Sequence, residues 1–158
     1  AGLGWQGKNT LLLNTKAGSL FFLGELFTDI PLERFQASLK ERDHCGTCTR
    51  CIDACPTNAL SPYELDASQC ISYWTLEHKG PFTSETPHWK DWVAGCDICQ
   101  EVCPWNQKLI PLNSTSEPKN VAALIDDDRI EELVADRAIS YVPRSSWKRN
   151  LEHIRKIR

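Results

Sequence analysis

The sequence CGTCTRCIDACP, residues 45–56, carries four cysteines at the spacing C-x2-C-x2-C-x3-C, and it constrains the structure more strongly than any other part of the chain. A second stretch, CDICQEVCP at residues 96–104, repeats the C-x2-C-x3-C portion, and a proline closes both stretches. When the two are aligned, the first cysteine of the second stretch is missing and Val93 stands in its place. Cys70 is the only cysteine outside the two stretches, and the total is eight.

Eight thiolates match the requirement of two [4Fe-4S] clusters with four ligands each. The x2 steps let one turn direct three sulfurs at one cluster, and in two-cluster ferredoxins the fourth cysteine of each run ligates the other cluster. This rule predicts a first ligand set of Cys45, Cys48, Cys51 and Cys103. The second set consists of Cys55, Cys96, Cys99 and, by elimination, Cys70.

Three different roles for the cysteines compete with cluster ligation. A disulfide framework suits an even cysteine count, but cysteine is about 5% of the chain, below the roughly 8–10% typical of disulfide scaffolds. Structural zinc can be held by two C-x2-C pairs, yet zinc does not account for a triple C-x2-C-x2-C repeated in register. Unpaired buried thiols have no reason to follow such a pattern. The spacing therefore favours iron–sulfur clusters.

Length and composition describe an ordinary soluble protein of one modest domain, or a piece of a larger one. The 158 residues are 25% charged and 41% hydrophobic, and no apolar run approaches the ~20 residues that span a membrane. Iron–sulfur ligation needs reduced thiols, which predicts a cytoplasmic location. The chain begins with Ala1 and contains no methionine, so we expect an N-terminal segment to be missing.

The charge is distributed unevenly. Residues 137–158 hold seven Lys/Arg against one acidic residue, a net of +6, so the preceding residues carry −9 of the total of −3. A basic tail on an acidic body suits a polyanionic partner such as RNA. A solvated helix face without a partner accounts for the same charges equally well.

The pattern of apolar residues predicts the remaining elements. Residues 11–13 and 20–23 are predicted as short buried strands or the edges of core elements, with a hairpin-like turn between them. Residues 66–77 are predicted as a helix carrying Cys70. Residues 111–119 are predicted as a linker, and residues 121–136 as an amphipathic helix with Asn120 as possible N-cap. A last helix is predicted to start near position 145, with four apolar residues on one face: Trp147, Leu151, Ile154 and Ile157.

Two smaller signals lie beside these elements. Gly2, Gly4 and Gly7 fit G-x-G-x-x-G, but the residues that follow look more like a strand than the helix a dinucleotide site requires. These glycines instead allow close backbone approach to a bulky ligand. His44 adjoins Cys45 and is a candidate for tuning a cluster through a hydrogen bond, although an ordinary surface histidine fits the position equally well.

Several segments in order resemble the epoxyqueuosine reductase family: AGLGWQGKNTLLLN, GSLFFLGE, CGTCTRCIDACPTNAL, CISYWTLEHKGP and GCDICQEVCPWN. The resemblance covers residues 1–110, and the tail from Val121 is similar only loosely. It implies a cytoplasmic oxidoreductase that uses two [4Fe-4S] clusters and cobalamin to reduce epoxyqueuosine to queuosine in the anticodon loop of tRNA.

The resemblance also implies an architecture. The expected fold class is α+β, with a truncated cobalamin-binding region followed by a ferredoxin-like two-[4Fe-4S] domain and C-terminal helices. The expected boundaries are residues 1–40 for the remnant of the cobalamin-binding catalytic domain and 41–110 for the cluster domain. Residues 111–158 form the linker and the C-terminal helical segment.

The family's functional residues carry over in part. All eight cysteines match its cluster ligands, and Cys70 matches its lone cysteine before I-S-Y. Ser72, Gly95 and Asp97 are the expected cobalamin contacts. The family's general acid is an aspartate upstream of A-G-L-G-W, so no catalytic residue is assigned within this chain.

The expected partners are the tRNA anticodon loop and an external electron donor, with no membrane and a monomeric protein. Three alternatives stay open on the sequence. The chain fits a ferredoxin-type electron-transfer module, a related cobalamin-dependent reductive dehalogenase, or a nucleic-acid-binding protein with purely structural clusters.

Overall fold

The computed structural model describes residues 2–31, 42–109 and 121–157. In these ranges the chain forms short helices and two antiparallel two-stranded sheets, which confirms the α+β class in its coarse form as a mixed helical and small-sheet fold. The chain divides into two units, each built from segments that are distant in sequence. Unit 1 contains Ala1–Cys55, Leu60–Leu65 and Ile98–Asn113, and unit 2 contains Pro56–Ala59, Asp66–Asp97 and Ser114–Arg158.

Unit 1 is made of very short elements, because the cysteine-rich turns leave little room for regular structure. Its strands are β1 (Trp5–Gln6), β2 (Leu12–Leu13), β3 (Leu60–Ser61) and β4 (Glu64–Leu65). Its helices are α1 (Arg50–Asp53), α2 (Ile98–Glu101) and α3 (Pro104–Gln107). Strand β1 pairs with β2, and β3 pairs with β4.

The N-terminal hairpin differs from the prediction in its choice of strands. Residues 12–13 do form a strand, but their partner is β1, with Trp5 opposite Leu13. The predicted strand at residues 20–23 is wrong, since that segment is irregular and Phe22 is 94% exposed. Apolar residues alone predicted burial there, but no described part of the chain covers the segment.

The hairpin itself accounts for the glycine at position 4. A Cβ atom on Gly4 would lie 1.9 Å from the carbonyl oxygen of Leu13 in the paired strand. Only glycine leaves room for that backbone. The glycine thus serves the pairing of β1 with β2.

The described part of unit 2 contains helical elements, the longest of which has 14 residues. They are a 3₁₀-helix (Ala67–Gln69), a π-helix (Tyr73–Glu77), α4 (Val121–Asp126), α5 (Glu131–Val134) and α6 (Arg144–Ile157). The helix predicted over 66–77 is therefore two helical pieces, with Cys70 between them in extended conformation. Asp66 starts the first piece, since its carboxylate accepts a hydrogen bond from the Ser68 amide.

The helix predicted over 121–136 is interrupted between α4 and α5. Asp128 adopts a left-handed backbone with φ 59°. The Arg129 amide donates to the carbonyl of Leu124 at 2.7 Å, and the Asp128 amide donates to that of Ile125 at 3.2 Å. This pair of bonds is the Schellman ending of an α-helix. Aspartate tolerates the left-handed conformation better than most residues, so the break needs no glycine.

Helix α6 matches its prediction in start and apolar face. Trp147, Leu151 and Ile154 are buried on one side of it. Trp147 and Leu151 belong to the main core of unit 2, whose other buried members are Ile125, Ile130, Val134 and Val142. No helix in the described ranges is both long and apolar enough to span a bilayer. The predicted linker and Asn120 lie outside the described residues.

Candidate metal centre

The first three cysteines lie on one tight turn that leads into α1. The Cys48 amide donates to the carbonyl of Cys45 at 2.9 Å, which closes the turn. The carboxylate of Asp43 holds the start of the turn, since it accepts a 2.7 Å hydrogen bond from the Cys45 amide. Asp43 also accepts a hydrogen bond from the Tyr63 hydroxyl, which raises the pKa of Tyr63 to about 12. The turn is thus attached to the β3–β4 connection.

Cys103 reaches the same region from the other cysteine stretch. It directly precedes α3, with Pro104 at the first helical position, where proline is favoured because its missing N–H has no intrahelical acceptor. Asn106 of this helix is fully buried and forms three hydrogen bonds. Its side chain accepts from the Ser19 amide at 2.7 Å and donates to the Ser19 hydroxyl and the Gln100 carbonyl at 2.8 and 2.9 Å.

Four thiols and three cationic side chains line one cavity of about 200 Å³ in unit 1. The thiols belong to Cys45, Cys48, Cys51 and Cys103. The cations are Lys8, Arg50 and Lys108, and none of the described lining residues is an aspartate or glutamate. Thiolates are the ligands of iron–sulfur clusters, and surrounding cations favour an anionic group. The lining residues therefore fit a [4Fe-4S] cluster.

Lys8 fixes the cysteine turn from the hairpin side, a role that the sequence pattern did not predict. Its ammonium donates hydrogen bonds to the carbonyl oxygens of Gly46 at 2.7 Å and Cys48 at 3.1 Å. Asn9, the next residue, is buried and donates to the carbonyl of Cys99 at 3.4 Å. Two adjacent polar residues directly after the glycine-rich start were the only feature of the sequence that could have indicated these contacts.

Burial raises the pKa of the Cys45 and Cys51 thiols. The backbone of Lys8 and the indole of Trp5 act in the opposite direction on Cys45. Negative charge on Cys103 or Cys45 raises the pKa of Cys51 further. Iron binds thiolates, so ligation must supply the free energy that keeps these thiols deprotonated.

Aromatic rings surround the hairpin side of the cavity. The Trp5 ring centroid lies 4.8 Å from that of His44 and 5.3 Å from that of Trp105. His44, the candidate for hydrogen-bond tuning, lines the cavity and packs edge-on against both indoles. Its predicted hydrogen bond to a cluster stays a prediction.

The other four cysteines are divided between the units. Cys55 and Cys99 belong to unit 1, and Cys70 and Cys96 belong to unit 2. Cys96 packs with the buried residues Ile71, Trp89 and Ile154. None of the eight cysteines, all of which lie in the described ranges, forms a disulfide. The predicted second ligand set stays a prediction.

Two of the three residues predicted to contact cobalamin, Ser72 and Gly95, are joined through Thr75 in unit 2. The fully buried Thr75 hydroxyl accepts a 3.0 Å hydrogen bond from the Gly95 amide and donates to the carbonyl of Ile71 at 2.8 Å, with a weaker 3.4 Å contact to that of Ser72. Gly95 has φ +71°, which favours glycine, and Asp97 is exposed. The sequence pattern gave no indication of Thr75, which joins the Ser72 and Gly95 segments.

Asn150 and Arg149 attach α6 to the rest of unit 2. Fully buried Asn150 donates to the carbonyls of Thr75 at 2.9 Å and Val93 at 2.8 Å. Arg149 donates to three carbonyl oxygens, those of Trp74, His78 and Gly80. Asn150 lies within the apolar face of α6, and a polar residue at a buried position could have indicated a hydrogen bond to another segment.

Most of the basic tail has partners within unit 2. Arg144 pairs with Glu131 and Asp128, Lys148 pairs with Asp128, and Arg155 pairs with Asp126. Arg149 is half-buried against backbone carbonyls, and burial lowers its pKa. The sequence left open a solvated helix face without a partner for the basic tail, but acidic residues of α4, α5 and the connection between them neutralise part of its charge.

Comparison with known proteins places the cysteines in a recognised domain. Residues 44–106, which include all eight cysteines, match the family described as "4Fe-4S double cluster binding domain". The chain is 45% identical over 166 residues to an epoxyqueuosine reductase of Leadbetterella byssophila, and the match covers 99% of this chain and 54% of that relative. It is 58% identical over 113 residues to an epoxyqueuosine reductase of Pseudomonas aeruginosa, covering 70% and 31% of the two chains.

A solved structure matches the fold of this chain over nearly the whole length of this chain. It is an epoxyqueuosine reductase with an epoxyqueuosine-modified tRNA-Tyr stem loop. The TM-score is 0.77 at 32% identity, and the match covers 98% of this chain and 43% of that one. The chain spans about half or less of the length of these relatives.

Proposed function

Because this chain belongs to the epoxyqueuosine reductase family, we propose that it is the cluster-bearing part of an enzyme that reduces epoxyqueuosine to queuosine in tRNA. The reaction removes the epoxide oxygen as water and leaves an alkene, which requires two electrons and two protons. In this proposal the chain's own residues hold the clusters that deliver the electrons one at a time from an external donor.

The observation that carries the proposal is the cavity of unit 1. Its four cysteines, Cys45, Cys48, Cys51 and Cys103, come from both cysteine stretches. This is the crossed set expected of two-cluster ferredoxins, in which the last cysteine of one run serves the other cluster. It supports Cys55, Cys70, Cys96 and Cys99 as the ligands of a second cluster, since those four remain.

We assign the cobalamin contacts to Ser72, Gly95 and Asp97. Cobalamin would supply the carbon–oxygen bond-breaking chemistry, while the protein supplies position and electrons. The buried Thr75 hydroxyl supports this assignment, because it holds the Gly95 amide and the Ser72 segment in a fixed relation. A backbone held in this way would keep Ser72 and Gly95 in fixed positions for binding the cofactor.

Exposed apolar residues support the assignment of residues 1–40 to a larger cobalamin-binding domain. Phe22, Leu26 and Phe27 are each at least 94% exposed, and contiguous apolar surface of this kind normally lies at an interface. In our proposal the remaining half of the family's length covers it. The proton donor is assigned to an aspartate that precedes the A-G-L-G-W segment in the family.

The proposed partner is the anticodon loop of tRNA, and the proposed setting is a monomer in the cytoplasm, where thiols stay reduced. The basic tail contributes less to RNA binding than its charge count indicates, since three of its cations are paired with carboxylates. The salt dependence of binding measures the cations that remain available.

The test is conversion of the epoxide. The full-length protein that carries this chain is reconstituted anaerobically with cobalamin and a low-potential reductant and incubated with epoxyqueuosine-containing tRNA, and nucleosides are analysed by mass spectrometry. We expect queuosine to form only when clusters and cobalamin are both present. Protein that binds both and leaves the epoxide intact would contradict the proposal. Turnover of an organohalide in place of the tRNA would indicate a dehalogenase, and electron transfer without cobalamin binding would indicate a ferredoxin-type module.

A further inference from the structure

Trp5 is held rigidly beside the cavity that the proposed cluster occupies. It lies in β1 opposite Leu13, and only 4% of its surface is exposed. Its neighbours in the small core of unit 1 are Leu13, Cys103, Cys45 and Trp105. Two of these four are proposed ligands of the cluster, so the indole packs directly against the ligand shell.

The indole N–H of Trp5 is a buried donor without an acceptor among the described residues. Within residues 2–31, 42–109 and 121–157, no hydrogen-bond partner of Nε1 is present, although the atom is shielded from solvent. Buried polar groups almost always have a partner, so such an exception requires a cause. An acceptor that arrives with a bound group supplies one.

The identity of that acceptor follows from the neighbours of the indole. Cys45 and Cys103 pack with Trp5 in the small core of unit 1, and both line the cavity, so their sulfur atoms are the ligand atoms beside the indole. A cysteine sulfur bound to iron is a thiolate and carries negative charge permanently. A hydrogen bond from the indole N–H to such a sulfur is therefore stronger when the cluster is bound.

We propose that the Trp5 indole N–H donates a hydrogen bond to a ligand sulfur of the cluster in unit 1, that of Cys45 or Cys103, and thereby raises the reduction potential of that cluster alone. Hydrogen bonds to cluster sulfurs and net charge are known determinants of potential. One-electron reduction adds a negative charge, so a donor to sulfur stabilises the reduced state more than the oxidised one. Trp5 is thus a positioning and tuning residue, and the inference rests on the proposed cluster ligation.

The cations of the cavity also raise the reduction potential of the cluster, because they favour the added negative charge. Lys8, Arg50 and Lys108 line it without an acidic residue among the described lining residues. The cations and the indole N–H therefore both favour the reduced state of this cluster.

The test is a redox titration of reconstituted Trp5→Phe, monitored by electron paramagnetic resonance. Phenylalanine keeps an aromatic ring in the core and removes the N–H. We expect one of the two couples to move to lower potential, by up to about tenfold in its reduction equilibrium, or about 59 mV for one electron. Trp147→Phe is the matched control, because its buried indole donates to the Val142 carbonyl in a core without cysteines. It leaves both couples unchanged.

Unchanged couples in Trp5→Phe with full iron content would overturn the inference. If Trp5→Phe takes up no iron, the hydrogen bond is tested on the unaltered protein instead. With 15N-labelled tryptophan, the reduced cluster shows a hyperfine coupling to an indole nitrogen, and the absence of that coupling overturns the inference. Both readouts come from the clusters themselves, so they do not depend on whether the protein reduces epoxyqueuosine.

Discussion

The cations of unit 1 and those of α6 differ in what neutralises them. Lys8, Arg50 and Lys108 line a cavity whose other polar groups are mainly thiols. Arg144, Lys148 and Arg155 form ion pairs with carboxylates of α4, α5 and the connection between them, and Arg149 donates to backbone carbonyls. The first group has no carboxylate among the described residues that line its cavity and is available to an anionic ligand, although Lys8 also holds the cysteine turn through two backbone carbonyls. The second group holds unit 2 together. A count of basic residues along the sequence does not distinguish these two uses.

The largest expected effect separates the two ligand sets. In Cys70→Ala we expect the second cluster to be lost and the cluster of unit 1 to remain, so the iron content falls by about half. Iron analysis and Mössbauer spectroscopy of the reconstituted protein measure this. Ser72→Ala, two residues away, retains all of the iron. Full iron in Cys70→Ala would show that Cys70 is not a ligand.

The next effect tests the attachment of α6 in unit 2. Asn150→Ala leaves the carbonyls of Thr75 and Val93 buried without their donor. We expect the free energy of unfolding to fall by about 2–5 kcal/mol, since each unsatisfied buried group costs about 1–3 kcal/mol. Chemical denaturation followed by tryptophan fluorescence measures it. Glu152→Ala, exposed on the same helix, is the control, and an equal loss in both variants would refute the role of Asn150.

A smaller effect tests the attachment of the cysteine turn in unit 1. Lys8→Met removes the donor to the carbonyls of Gly46 and Cys48. We expect iron to be released to a chelator severalfold faster from one cluster, because the turn that carries three ligands loses its anchor. Lys16 is an exposed lysine in the same N-terminal segment, and we expect Lys16→Met to leave the rate of iron release unchanged. Equal release rates in the two variants would show that Lys8 does not anchor the turn.

The smallest expected effect concerns the paired cations of α6. Asp126→Asn frees Arg155 from its carboxylate partner. We expect tRNA affinity to rise slightly, and the slope of log K against log salt to become steeper by somewhat less than one. Fluorescence anisotropy across a salt series measures the slope. Asp53→Asn in unit 1 serves as a control for net charge, and the same change in both variants would mean that overall charge is responsible.

The sequence predicted the cysteine turns and α6 well, because both depend on local spacing. C-x2-C steps and a trailing Cys-Pro follow from the geometry of one turn, and the apolar face of α6 follows from helical period. The strand at residues 20–23 was wrong because burial depends on what covers a segment. The break at Asp128 escaped notice because it requires one left-handed residue, which a run of three aspartates tolerates.

Long-range polar contacts were beyond the reach of the sequence. Thr75 joins Gly95 across 20 residues, and Asn150 joins Thr75 and Val93 across 75 and 57 residues. No periodicity indicates such pairings, since each depends on how distant segments pack. The same is true of the ion pairs that neutralise the basic tail.

The most direct test of the crossed ligation compares Cys103→Ala with two reference variants. Cys48 lines the same cavity as Cys103 but lies in the first cysteine stretch. Cys99 is the cysteine nearest to Cys103 in sequence and does not line that cavity. We predict that the Mössbauer and paramagnetic resonance spectra of Cys103→Ala match those of Cys48→Ala, with the cluster of unit 1 lost and the other retained. Spectra of Cys103→Ala that match those of Cys99→Ala would show that each stretch serves its own cluster, and would contradict the crossed ligation.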